Sequence, residues 1–366
     1  MKNYPSYAKR TKSVLKSFLL LSITLILTTS GYAQISNPTG ELNKADDDDI
    51  WPQTLEGSYF NEFWNYQFYL NDGLIVHIMF SAADFGSLKN AVTGVQLSVY
   101  GLDDEVYQLS REYNINRLVL DKEKYMFRNR LERELYFEGK LPEKHRVRIK
   151  TEKDGVSYDI DLNLHNIHKG VKLGDGKYTI DDEQVGITTH IPYGEVRGHV
   201  EVNHNRKRVN GTAFMDHTFQ NQTTTRLLDS GYRFVFHEDA DNYDMLFLML
   251  PEDTNEKDTI GYRLVNRNGE LEMMGIESIE YLSKRNTFGE NLARVLELKL
   301  SNGETLQVTR TDDHEKFSVL GELGRVARSV ARRFLGGEVI HFRGEATLLE
   351  SGERPKRGYY NYFIVN

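Results

Sequence analysis

The chain has 366 residues, a formal charge of −8 and no cysteine, so a disulfide framework, thiol chemistry and a cysteine-linked lipid anchor are all excluded. An acidic chain is a poor general partner for nucleic acid or for an anionic membrane. No G-x-S-x-G elbow, Walker loop or dinucleotide fingerprint is present, which leaves hydrolase, kinase and dehydrogenase chemistry without sequence support.

Five basic residues, Lys2, Lys9, Arg10, Lys12 and Lys16, precede the apolar run from Phe18 to Leu27, and the small residues Gly31 and Ala33 follow it. This order predicts a signal peptide over 1–33 cut after Ala33, and hence a secreted or periplasmic protein; an uncleaved anchor is the alternative. Residues 1–33 hold no acidic side chain, so losing them moves the charge from −8 to −13 and leaves a chain long enough for two cored domains. Residues 34–50, with the run Asp46 to Asp49, lack an apolar period and read as a flexible, solvated lead-in.

From Trp51 onward short alternating runs are joined by turn residues. Trp64, Tyr66, Phe68 and Leu70 alternate up to Asn71-Asp72-Gly73, and Leu74 to Phe80 returns as a hairpin partner. Similar runs occupy Val92 to Tyr100, Val106 to Tyr113, Leu135 to Phe137, Arg146 to Thr151 and Val156 to Leu164, while 121–134 fits helix and strand equally. A Gly- and Asp-rich stretch, Asn166 to Glu195, reads as a crossing segment, with a domain boundary near Gly194. The stretch Gly194 to Gln222 reads as a hairpin, and on its second strand Asp216 and His217 face opposite sides. Further runs continue to Leu300 and Thr311, a helix is expected over Val319 to Leu335, and strands at Val339 to Leu349 and Tyr359 to Val365 end the chain. Arg325, Arg328, Arg332 and Arg333 make that helix a barrel-packing element or a basic surface that touches anionic lipid at the membrane periphery. The pattern is all-β, without a residue-level repeat between its halves.

Two motifs carry a family likeness. Gly194-x-Val196-x-Gly198 followed by Val209-x-Gly211 and Asp216-His217-x-Phe219 resembles the centre of the tandem lipocalin-like family, which includes AttH-like bacterial proteins, carotenoid 1,2-hydratase, fungal Diels-Alder cyclases and the yeast survival factor. Glu62-Phe63-Trp64-Asn65-Tyr66 with Leu70 is similar to the family's aromatic opening. The chain departs from the pattern at Phe219-Gln220, where the family often has Trp and then Gly. The resemblance implies two lipocalin-like β-barrels, over 51–193 and 194–366, with the late helix packed on the second.

It also implies a function, with alternatives. One is binding of an apolar small molecule, lipid or isoprenoid-like, in or between the barrels. Another is a cofactor-independent hydratase, cyclase or isomerase on an unsaturated apolar substrate, and a third is a structural or partner-binding module. Asp216, His217 and Asp244 are the candidate catalytic groups: Asp216 and His217 come from the motif, and Asp244 alternates with Leu246, Leu248 and Leu250, which on a regular strand puts it on an apolar face where burial favours a general acid, whereas its place beside a polar turn favours ordinary solvent exposure. Trp64, Tyr66, Met215, Phe219 and Tyr243 are the side chains expected to meet the ligand. The 21 tyrosines and 18 phenylalanines either fill the barrels or line cavities in them. His190, His199, His204 and His217 cluster in sequence without metal-ligand spacing, so neither metal nor cofactor is expected.

Overall fold

The computed structural model describes residues 35–38, 41–55, 57–251, 259–322 and 325–366; the expected leader lies outside them. In chain order the strands begin with β1 (Ile35–Ser36), β2 (Leu42–Lys44), β3 (Asn61–Leu70), β4 (Ile75–Ala83), β5 (Val92–Tyr100) and β6 (Tyr107–Asn114). Next come β7 (Leu118–Asp121), β8 (Met126–Asn129), β9 (Leu135–Glu138), β10 (His145–Lys153), β11 (Val156–His165), β12 (Val171–Leu173) and β13 (Lys177–Ile180). Two long strands, β14 (Glu183–Val202) and β15 (Asn205–Gln220), complete this first sheet.

The sheet order is β6-β5-β4-β3-β15-β14-β11-β10-β9-β8-β7, so the β14–β15 hairpin inserts between the two meanders and wraps them into a barrel. Side chains bridge its open seam: Tyr158 donates to the Gln108 carbonyl at 3.2 Å, and Arg111 reaches Thr151 at 3.4 Å. The expected boundary near Gly194 is therefore corrected. Residues 194–220 pair with β3 and β11 and belong to the first barrel, and the stretch read as a crossing segment is strands β12, β13 and the start of β14. The turn of the long hairpin is Asn203-His204, both with positive φ, as a two-residue hairpin turn requires.

The second barrel holds β16 (Leu228–His237), β17 (Asn242–Pro251), β18 (Ile260–Arg267), β19 (Glu270–Thr287), β20 (Glu290–Leu300), β21 (Thr305–Ser318), β22 (Val339–Glu350) and β23 (Lys356–Val365). Neighbours pair in order and β23 pairs back to β16, closing eight strands. The helix runs Arg325–Leu335, preceded by a 3-10 turn at Val319–Glu322. Arg328 and Arg332 turn toward the buried Glu338 at the start of β22, at 2.7 and 3.7 Å, which leaves Arg325 and Arg333 as its exposed cations.

Both interiors are filled. In the first, Trp64, Tyr66, Phe68, Phe80, Phe127 and Phe137 pack together; in the second, Tyr232, Phe234, Phe236, Leu296, Leu298 and Phe342 do. Each such side chain contributes about 1.5–3 kcal/mol of transfer free energy. β3 alternates as its sequence predicts, yet its other face, Asn65, Gln67 and Tyr69, is buried too, because the second barrel lies against it. The same holds for the second half of β15, from Ala213 to Gln220, and for β17.

The lead-in is also corrected. β2 pairs with β12, Lys172 bonds Asp49 at 2.7 Å and Asp46 at 3.3 Å, and Lys140 meets Asp47 at 3.2 Å. Opposite charges thus clamp the acidic run over the mouth of the first barrel as a plug.

The motif glycines have steric reasons. A Cβ on Gly198 would lie 1.8 Å from the Asp161 carbonyl oxygen, and one on Gly211 would lie 2.0 Å from that of Tyr69. Backbone on a neighbouring strand moves only at a cost. Gly198→Ala is expected to lose about 1–3 kcal/mol in urea denaturation, whereas Gly275→Ala, whose Cβ would find nothing closer than 3.9 Å, stays within about 0.5 kcal/mol of the parent.

Candidate functional site

The aromatic opening and the His of the Asp-His pair meet inside the first barrel. Trp64 stacks on His217 with ring centroids 4.4 Å apart, and its indole N–H donates to the Ile50 carbonyl at 2.8 Å. His217 bonds the Asp49 carbonyl through Nδ1 at 2.9 Å and Glu62 through Nε2 at 3.1 Å. Glu62 also accepts from the backbone N–H of Gln53 and the hydroxyl of Thr54. Burial raises the Glu62 pKa, but the His217 and Thr54 bonds outweigh it and hold the carboxyl below its ordinary value. Glu62, Trp64 and His217 therefore latch the plug. Tyr66 bonds His145 Nε2 at 2.8 Å, Met215 lies in the same core, and Phe219 covers the backbone of Gly186.

Asp244 is buried inside the second barrel. Its carboxylate is bound by Arg263 Nε at 3.0 Å and by Lys356 Nζ at 3.2 Å, with Glu350 completing the cluster. The neighbouring Tyr243 faces outward, stacked on Tyr193 at 5.8 Å. His217 and Asp244 thus occupy two separate interiors, and the expected grouping of Asp216, His217 and Asp244 around one substrate does not assemble. Strand alternation puts Asp244 on an apolar face, and its burial there corrects the solvent exposure that the adjoining polar turn favoured; alternation could not tell that the face lines a different barrel.

Asp216 points out of the first barrel, into the interface. Arg233 of β16 binds it side-on with two donors, Nε at 2.6 Å and Nη2 at 3.2 Å, and also donates to Thr218 at 3.1 Å. Asn65 donates to the same carboxylate at 2.9 Å. Beside this pair a cavity of about 680 Å³ opens between the barrels. Phe63 and Met79 line it from the first barrel, Met249, Val339 and Phe363 from the second, and Arg233 and His341 bring polar groups to its wall. Burial, reinforced by the charge of Arg343, lowers the His341 pKa to about 3, so the imidazole is neutral.

Sequence reading missed Phe63, Arg233, Met249, His341 and Phe363. A signal existed in β16, where Arg233 interrupts the apolar run from Tyr232 to Phe236. Of the clustered histidines, His199 pairs with Asp159 at 2.9 Å and His204 sits exposed in the hairpin turn, while His190 stays beside His217 with ring centroids 6.1 Å apart. Among the described residues no set of three or more His, Asp and Glu side chains is arranged to hold a metal.

No protein-family model matches this sequence, and no curated protein does. The fold, however, is the tandem lipocalin-like one. An AttH of Nitrosomonas europaea superposes with a TM-score of 0.59 at 14% identity, over 86% of this chain and 98% of that one. CghA in complex with Sch210972 gives 0.57 at 10% identity over 89% and 98%, and kievitone hydratase of Nectria haematococca gives 0.52 at 12% over 90% and 95%.

Removing Arg233 would strand Asp216 in the interface without its counter-charge. Arg233→Ala is expected to cost about 3–5 kcal/mol in urea unfolding, with most of it regained in the Arg233→Met, Asp216→Leu double variant. A second expectation concerns pH. Burial lowers His145 and His237 to about 4, as it lowers His341 to about 3. Below pH ~6.5 the unfolded chain therefore takes up protons that the folded chain refuses, and stability falls as pH drops. Each such histidine contributes a slope of about 1.4 kcal/mol per pH unit down to its folded pKa. Stability measured from pH 7 to 4 should decline steadily, and His237→Gln should flatten the slope by one proton.

Proposed function

We propose that this protein is a secreted binder of an apolar small molecule that carries a hydrogen-bonding head group, held in the cleft between its two barrels. The observation that carries this reading is the inter-barrel cavity of about 680 Å³, apolar on both walls and polar at Arg233 and His341, beside two barrel interiors filled with side chains. Its size is within the usual range for small-molecule sites, and few polar groups among many apolar ones is their usual composition. The head group would meet Arg233 and His341, and the apolar body would lie along Phe63, Met249 and Phe363.

A second reading makes the cleft the site of cofactor-independent hydration, cyclisation or isomerisation. Two observations favour it: the neutral imidazole of His341 on the wall, able to hydrogen-bond substrate or water without carrying charge, and the naming of one structural neighbour as a hydratase. In this reading Asp216 acts through Arg233, positioning it, and Asp244 has no part.

Native mass spectrometry of the protein recovered from its own host tests both readings. The expected species begins at Gln34 and carries a bound small molecule, and Met249→Trp, which fills the cleft, loses that molecule while remaining folded. An unliganded parent, or a Met249→Trp variant that keeps its ligand, would overturn the binding reading. Returning the extracted ligand to the protein separates binder from enzyme: a gain of one water or a changed retention time, lost in His341→Ala, marks catalysis.

A further inference from the structure

An open pocket of about 710 Å³ lies between the helix and strands β20 to β22. Lys316, Arg325, Arg328, Arg332 and Arg333 line it, against one carboxylate, Glu290. Glu290 meets Lys316 at 3.2 Å, and the buried Glu338 holds Arg328 and Arg332. Arg325 and Arg333 are exposed and have no carboxylate partner among the described side chains. In a chain of net charge −8 this is a local concentration of cations, and its field attracts anions that the molecule as a whole repels.

The tip of the β19–β20 hairpin stands at the rim of this pocket, since Lys316 Nζ lies 3.4 Å from the Phe288 carbonyl oxygen. Thr287 pairs with Glu290, so the turn is Phe288-Gly289, with φ of 49° and 90°. Asn-Gly or Asp-Gly is the usual occupant of such a turn, and a bulky side chain at positive φ is strained there. The phenyl ring gains little from the barrel to offset this, because Phe288 is 49% exposed. Leu320 and Leu335 line the inter-barrel cleft from either end of the helical segment, and Gly337 borders both cavities. The cationic pocket, the exposed ring and one wall of the cleft are thus contiguous.

We propose that this face docks on an anionic membrane surface, with lipid phosphates drawn to Arg325 and Arg333 and Phe288 inserted among the acyl chains beside them. Basic side chains together with an apolar anchor hold a protein to the surface of a bilayer, where either alone binds weakly. A free anion would use the arginines and leave the ring in water, so a bilayer is the occupant that suits both features. Docking does not depend on what the cleft holds. That the docked protein presents its cleft to the bilayer, as a route for an apolar ligand, rests on the binding reading proposed above.

Sedimentation with vesicles tests this, using the protein as recovered from its host. Vesicles of phosphatidylcholine with phosphatidylglycerol should bind it at least about tenfold more tightly than phosphatidylcholine alone, and the binding should weaken as salt rises. Arg325→Gln with Arg333→Gln should cost at least about tenfold, since each cation near such a surface contributes about fivefold. Phe288→Asn, which suits the turn, should fold at least as stably as the parent yet bind about threefold or more weakly. In Phe288→Trp the added indole should shift its emission to the blue on anionic vesicles and not on neutral ones. Met249→Trp should dock like the parent, so a cleft that holds no ligand would refute the binding reading and leave the docking intact. Equal binding to both vesicle types, binding unchanged in the arginine or Phe288→Asn variants, or an indole that stays in water would overturn the proposal. Capture of inorganic phosphate by a protein that ignores vesicles would overturn it as well.

Discussion

The contact between Asp216 and Arg233 is the constraint on which the molecule is organised. A buried carboxylate and a buried guanidinium are each costly alone, and only a bidentate, fully bonded arrangement makes the pair tolerable. Asn65 and Thr218 supply the remaining bonds from β3 and β15, so the pair holds β16 against two strands of the other barrel. A second link works the same way: Glu315 of the second barrel pairs with Arg343 and accepts from Gln108 of the first at 3.0 Å. Such directional contacts set a register between the barrels that apolar packing alone would leave loose. The 680 Å³ cleft is the volume this register leaves between two curved sheets.

Inside the first barrel a different arrangement does the holding. Glu62, Trp64 and His217 bind the backbone of residues 49–54, and Lys172 and Lys140 clamp the acidic run from outside. The residues that carry the family likeness are thus divided by strand alternation. His217 looks inward to the plug and Asp216 outward to the partner barrel, although they are neighbours in sequence. Many of the tyrosines and histidines of the chain are similarly placed at the seam between barrels: Tyr69 stacks on Tyr359 at 4.3 Å, and His237 bonds Thr212 and the Pro192 carbonyl. Tyr69 donates to Gln67 and both ring nitrogens of His237 are bonded while the rings exclude water, and burial keeps His237 neutral.

Much of the strand content was legible because alternation and turn chemistry are local. Asp72-Gly73, Asp154-Gly155 and Asn268-Gly269 all adopt the positive φ values of tight hairpin turns, as their residue types suggest. The domain boundary was not legible. Where β15 goes is decided by its pairing with β3, some 150 positions away, and nothing in either strand's own sequence names its partner. The acidic run misled for a related reason: its counter-charges, Lys140 and Lys172, are remote in sequence, so locally it has the pattern of a solvated tail.

By itself, then, the sequence determined an all-β chain of short alternating strands, the opposite orientations of Asp216 and His217, and the likeness to tandem lipocalin-like barrels. These depend on a period of two residues and on short motifs, which are properties of neighbouring positions. Only the tertiary structure decided that both faces of β3 and of the second half of β15 are buried, that Arg233 and His341 reach one cleft from different strands, and that Asp244 is enclosed in the other barrel. The physical reason is that alternation assigns a side to a side chain but not the body lying on that side, and that body comes from strand pairings over long separations.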